Sequence, residues 1–85
     1  MTKAKCLEVL DRYERMLSAI RPHKKDREMV EHLRSMIPRM REMLAEDFLW
    51  KFMRWLGFMQ GVLWQRKWFT LEDLKKHNRP LSKHL

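Results

Sequence analysis

Cysteine, glycine and proline are scarce in this 85-residue chain, at one, two and three residues. The single cysteine, Cys6, permits neither an intramolecular disulfide nor a cysteine-built zinc site. So few turn-forming residues argue against disorder and against a turn-rich β-sandwich. Acidic side chains are also in deficit, 11 against 19 Lys and Arg, which leaves a formal charge of +8. The sequence has no run of the roughly 20 apolar residues that a membrane-spanning helix needs. Its start, Met1-Thr2-Lys3-Ala4-Lys5-Cys6, is followed by charged residues rather than the apolar stretch of a signal peptide. The expected setting is therefore a reducing cytoplasm. The length fits one domain and excludes a large enzyme. A core of this size is marginal on its own, because such a chain buries only about 60–65% of its unfolded surface.

Hydrophobic residues make up 45% of the chain, including 8 Met, 4 Trp and 4 Phe, and their spacing is helical. Over residues 3–20, Cys6, Leu10, Tyr13, Leu17 and Ile20 repeat every four and three positions, which places them on one stripe that Val9 and Met16 widen. Pro22 ends this helix, since the residue before a proline is pushed toward extended dihedrals. The connector Arg21-Pro22-His23-Lys24-Lys25 is short, so helix 2 is expected to turn back antiparallel. Asp26 suits the N-cap of helix 2, with Glu28 in its first turn. Val30, Leu33, Ile37, Met40 and Leu44 continue the periodicity across Pro38. Because proline removes one backbone bond and crowds the carbonyl of Arg34, helix 2 is expected either to kink there or to split in two.

Helix 3, from Phe48 to Trp64, carries only Lys51 and Arg54 as charges. Phe48, Phe52, Trp55, Met59 and Val62 form one apolar stripe and Leu49, Met53, Leu56 and Leu63 a second, while Trp50, Phe58 and Trp64 lie at further angles. A helix apolar nearly all round must be buried nearly all round, and a two-helix hairpin covers only part of it. Self-association of helix 3 is the simplest remedy. Adsorption to a bilayer surface fits less well, because such helices keep one strongly polar face. Gly57 and Gly61, four residues apart, are the only glycines. Either they let another backbone approach closely, or they make room for Trp50, Trp64 or Trp68 within the same subunit. Phe52, Trp55, Leu56, Gly57, Met59, Gly61 and Trp64 are the candidates for helix packing and self-association. Farther on, Thr70 reads as an N-cap, Glu72 and Asp73 favour the start of a helix, and Phe69 and Leu74 have the spacing of a hydrophobic staple. Asn78 and Pro80 then stop a short fourth helix.

Positive charge is concentrated in two places. Residues 66–85 are basic, and Arg21, His23, Lys24, Lys25 and Arg27 cluster at the start of helix 2, where free N–H groups and the helix dipole already favour anions. Arg27, Arg34 and Arg41 recur every seven residues along helix 2. These seven residues are the anion-binding candidates. A solvated face that keeps an apolar bundle dispersed is the competing reading, since Glu28, Glu31 and Glu42 intersperse the ridge. No phosphate loop or catalytic motif occurs. His23, His32, His77 and His84 lack metal-ligand spacing, and Ser18, Ser35 and Ser82 lack a base partner. The expectation is a non-enzymatic protein without a metal or cofactor.

The stretch Met53-Arg54-Trp55-Leu56-Gly57-Phe58-Met59-Gln60-Gly61-Val62-Leu63-Trp64, followed by Phe69-Thr70-Leu71-Glu72-Asp73-Leu74-Lys75-Lys76-His77-Asn78-Arg79-Pro80, resembles a group of small bacteriophage proteins. Gln65-Arg66-Lys67-Trp68 departs from the small, glycine-containing turn expected between the two halves. The resemblance implies a phage setting, in which small accessory proteins bind and disable host factors or defence systems. The expectation as a whole is an all-α domain over residues 1–80, with residues 81–85 a frayed tail. Three main helices and a short fourth form a bundle that is homo-oligomeric through helix 3. It would act by stoichiometric binding to a host or defence macromolecule. Two alternatives stand beside this: an oligomer that sequesters an anionic signalling nucleotide, and sequence-neutral binding of nucleic acid.

Overall fold

The computed structural model describes residues 2–66, and these are all-helical. The expected helix from Thr70 to Asn78 and the tail at 81–85 lie outside the described residues.

Helix α1 spans Lys3–Ala19. It starts where Thr2 Oγ1 accepts the backbone N–H of Lys5 at 3.2 Å, an N-cap that satisfies one orphan donor. Its buried face is Cys6, Val9, Leu10, Tyr13 and Leu17, as the spacing predicts. Ile20 is already extended, with ψ 129°, two residues before Pro22. A 3₁₀ turn, Lys24–Asp26, leads directly into α2, Arg27–Ala45. Asp26 stands at the N-cap position but makes no capping bond with its side chain. Its carboxylate is largely buried and pairs instead with the guanidinium of Arg66, just past the end of α3. That departure from the expected cap has a physical reason, since burial demands a charged partner for the carboxylate and Arg66 supplies one.

Helix α2 runs unbroken through Pro38, which decides the alternatives against two separate helices. The proline ring is exposed, and Val30, Leu33, Ile37, Met40 and Leu44 are all buried on the continuous stripe. Packing of that stripe outweighs the local penalty of the ring. Replacing Pro38 with Ala is therefore expected to stabilise the subunit. An interior proline costs about 3 kcal/mol, but its removal also loosens the unfolded chain, so the net gain is about 1–2 kcal/mol. Urea melts would show a higher midpoint at unchanged m-value; an equal or lower midpoint would mean that the ring is not strained there.

The end of α2 is a Schellman motif. Phe48 N–H donates to Met43 O at 2.8 Å, and Asp47 N–H to Leu44 O at 3.3 Å. Asp47 takes the left-handed position, with φ 63°, where glycine is usual. Aspartate is among the few other residues that tolerate this conformation, and its carboxylate meets Lys3 Nζ at 2.9 Å. Helix α3, Leu49–Gln65, follows at once. The pairs Lys3–Asp47 and Asp26–Arg66 each join one helix start to the next helix end, so the three helices run alternately up and down. Helix α2 packs on both neighbours, and Gln60 Nε2 donates to Tyr13 Oη at 3.1 Å to link α3 with α1. The core between them holds Leu10, Tyr13, Leu33, Met40, Phe52 and Leu63, each fully buried.

Candidate binding surfaces

The basic candidates do not form one surface. Arg21, His23, Lys24, Lys25 and Arg27 are exposed around the 3₁₀ turn, as expected of an anion-facing cluster. Arg34 is turned inward: its Nε donates to Leu17 O and its Nη2 to Ile20 O, both at 2.9 Å. It thereby satisfies carbonyls at the carboxyl end of α1, where a cation also suits the dipole. Arg41 bridges to Asp11 at 2.8 Å and Glu14 at 2.6 Å, two carboxylates on α1 that hold its guanidinium more firmly charged. Of the three arginines spaced seven residues apart along α2, Arg34 and Arg41 therefore mark the edge that meets α1, and only Arg27 stays open. Arg21, Arg27 and Arg34 still line one surface hollow of about 480 Å³, together with Ser18, Ile20 and Glu31.

The α3 candidates divide in the same way. Phe52, Leu56 and Met59 are buried inside the subunit, so they serve packing within the chain and not contact between copies. Trp55 is half-buried against that core. Gly57, Gly61 and Trp64 face outward, and Trp50 joins them at 64% exposed. A Cβ built at Gly57 or Gly61 would meet nothing within 4 Å among the described residues. The reading in which these glycines admit Trp50 or Trp64 within the subunit is thus corrected: neither tryptophan fills the space. Trp68 lies outside the described residues.

A third surface was not singled out by the sequence. Between α2 and α3, His32, Met36, Arg54, Trp55 and Phe58 line an open hollow of about 340 Å³. The Phe58 ring stands edge-on to His32, with centroids 6.2 Å apart, and Arg54 lies over the Trp50 ring at 5.5 Å. The signal available in sequence was Phe58, an aromatic outside both buried stripes. His32 carried none, since beside Glu28 it reads as part of a solvated face.

The lone thiol, Cys6, is buried, and burial raises its pKa. That keeps it protonated and away from solvent, unlike a nucleophile. Among the described residues no three His, Cys, Asp or Glu side chains converge on a metal-sized site, and no helix is long and apolar enough to cross a membrane. What these surfaces offer chemically is recognition: aromatic faces, a bare backbone strip and unpaired cations. In comparison with known proteins, no family model, no curated protein and no solved structure matches the chain.

Proposed function

We propose that this chain is a phage-type accessory protein that works by stoichiometric binding, without catalysis, to a host or defence macromolecule in the host cytoplasm. In this reading two copies pair through the outward face of α3. The observation that carries it is the stripe Trp50, Gly57, Gly61 and Trp64, exposed along a helix whose opposite side fills the core. Each interior glycine costs a helix about 1 kcal/mol relative to alanine. No described neighbour in the subunit occupies the space beside either one, and in this reading the bare backbone serves the approach of a second copy. An antiparallel pairing about Gly57 sets Trp50, seven residues before it, against the partner's tryptophan seven residues after it. Such isologous contact is the common form of a symmetric dimer.

Light scattering and native mass spectrometry at micromolar concentration test the pairing. The wild type is expected to be oligomeric. Gly57→Leu should weaken association at least about tenfold, equivalent to about 1.4 kcal/mol. The same change should leave the helical signal intact, because a Cβ at Gly57 meets nothing within 4 Å among the described residues and leucine is a better helix former than glycine. A wild type that is monomeric throughout overturns the pairing.

The hollow at Arg21 and Arg27 favours a second reading, capture of an anionic nucleotide or of a nucleic acid backbone. Glu31 and the occupied guanidinium of Arg34 oppose it there. Calorimetry against a nucleotide panel gives heat if this reading holds. Binding of nucleic acid would fall steeply with salt.

A further inference from the structure

We propose that the α2–α3 groove is the docking site for an acidic amphipathic helix of a partner protein. The inference rests on reading the chain as a binding protein and names the chemistry of what it binds. The hollow beside His32 and Phe58 does not end at Trp55. The same indole lines a second hollow of about 460 Å³, which continues past Met43 to Phe48. End to end, with Trp55 shared between them, the two hollows extend along α2 from His32 to Met43, about 16 Å at 1.5 Å per residue. That is the length of three helical turns. Met36 and Met43 form their floor, and methionine adapts readily to an incoming apolar face.

Charge decides the occupant. Lys51 and Arg54 stand on the α3 rim, His32 and Arg39 on the α2 rim, and α3 contains no acidic residue at all. Among the described residues none of these four has an ion-pair partner, whereas Arg34, Arg41 and Arg66 are all engaged. A second copy of α3 would bring the same cations, so it does not complement the rim. Glu42 and Glu46 close the Phe48 end. They break the continuous basic track that a phosphate backbone requires, while Lys51 on the opposite rim still favours a carboxylate. Apolar side chains at i, i+3, i+4 and i+7 would enter beside Trp55 and Phe58, with carboxylates flanking them toward Lys51 and Arg54. Trp55 lies about 160° around α3 from Gly57, so pairing of α3 leaves the Trp55 side open, with Arg54, over the Trp50 ring, at the edge between the two surfaces.

The test uses the full-length protein and a labelled synthetic peptide of about 18 residues, Leu at that spacing and Glu on both flanks, long enough for the three turns. Fluorescence anisotropy at moderate salt is expected to show saturable binding. The double change Lys51→Glu and Arg54→Glu should weaken it at least about tenfold through rim repulsion. Lys24→Glu with Lys25→Glu, an equal change in net charge on the 3₁₀ turn, should leave it within about twofold. A peptide carrying Lys in place of Glu should reverse the preference and bind the Lys51, Arg54 variant better. Equal losses from the two double variants, or displacement of the peptide by a single-stranded oligonucleotide, would overturn the proposal. Oligomeric state read in the same samples keeps the two ideas apart. A monomer that binds the peptide refutes only the α3 pairing, and an oligomer that does not bind it refutes only the groove.

Discussion

Phe52→Ala is expected to destabilise the subunit by about 3–5 kcal/mol, the usual cost of emptying a buried aromatic site. Phe52 is fully buried, on the side of α3 that faces the core. Its loss removes transfer energy and leaves a cavity that Leu56, Met59 and Leu63 cannot all collapse into, because each is already fixed by its own packing. For a chain of this length total stability is about 4–13 kcal/mol, at 0.05–0.15 kcal/mol per residue. The variant should thus lose a large share of that stability and melt at a markedly lower urea midpoint than the wild type. Phe58→Ala supplies the contrast on the same helix. At 49% exposed it gives up little beyond its edge contact with His32, and the expected cost is about 0.5 kcal/mol. Urea denaturation followed by circular dichroism reads both. Equal midpoints for the two variants would mean that α3 does not bury the face assigned to it.

The difference between those two phenylalanines also marks how far the sequence could be read. Stripes with clear periodicity were legible: Cys6, Leu10, Tyr13 and Leu17 on α1, and Val30, Leu33, Ile37, Met40 and Leu44 on α2, are buried as their spacing predicts. On α3 the spacing already set Phe52 and Leu56, on the two stripes, apart from Trp50 and Trp64. With apolar residues all round the helix, it did not say which side the hairpin covers; the fold buries the first pair and exposes the second. Charged residues were the least legible. Arg34 and Arg41 share a heptad position with Arg27, yet the first two meet the carbonyls and carboxylates of α1 while Arg27, at the first residue of α2, stays in solvent. Asp26 has the chemistry of a cap and the position of one, yet Arg66, forty residues away, holds its carboxylate. Nothing local encodes that pairing. Asp47 hides a helix stop because its left-handed backbone lacks the glycine that would announce it. The α2–α3 groove was invisible for the same reason as the ion pairs: it is made of residues that become neighbours only after α2 and α3 pack.

Tyr13 gives the fold an alkaline limit. Burial of its ring between the helices pushes its pKa from 10 up to about 12, and neither the donated bond from Gln60 nor the nearby charge of Arg12 restores the usual value, although both favour the phenolate. In the unfolded chain the phenol ionises near pH 10; in the folded chain it holds its proton to about pH 12. The associated stability is therefore complete below pH 10, falls as pH rises from 10 toward 12, and has been lost above that. Two units correspond to about 2.7 kcal/mol. Lysines ionise in the same range, so the informative quantity is the difference between the wild type and Tyr13→Phe, in which their contribution cancels. Near pH 8 the phenylalanine variant should be less stable by about 1 kcal/mol, the value of the lost hydroxyl bond. As pH rises past 10 the gap should close and then reverse, because phenylalanine has no proton to lose. Urea midpoints at pH 8, 10 and 11.5 would show the crossing. A gap that stays constant over that range would mean that the Tyr13 hydroxyl ionises no harder in the folded chain than in the unfolded one, and that the contact between α1 and α3 admits water.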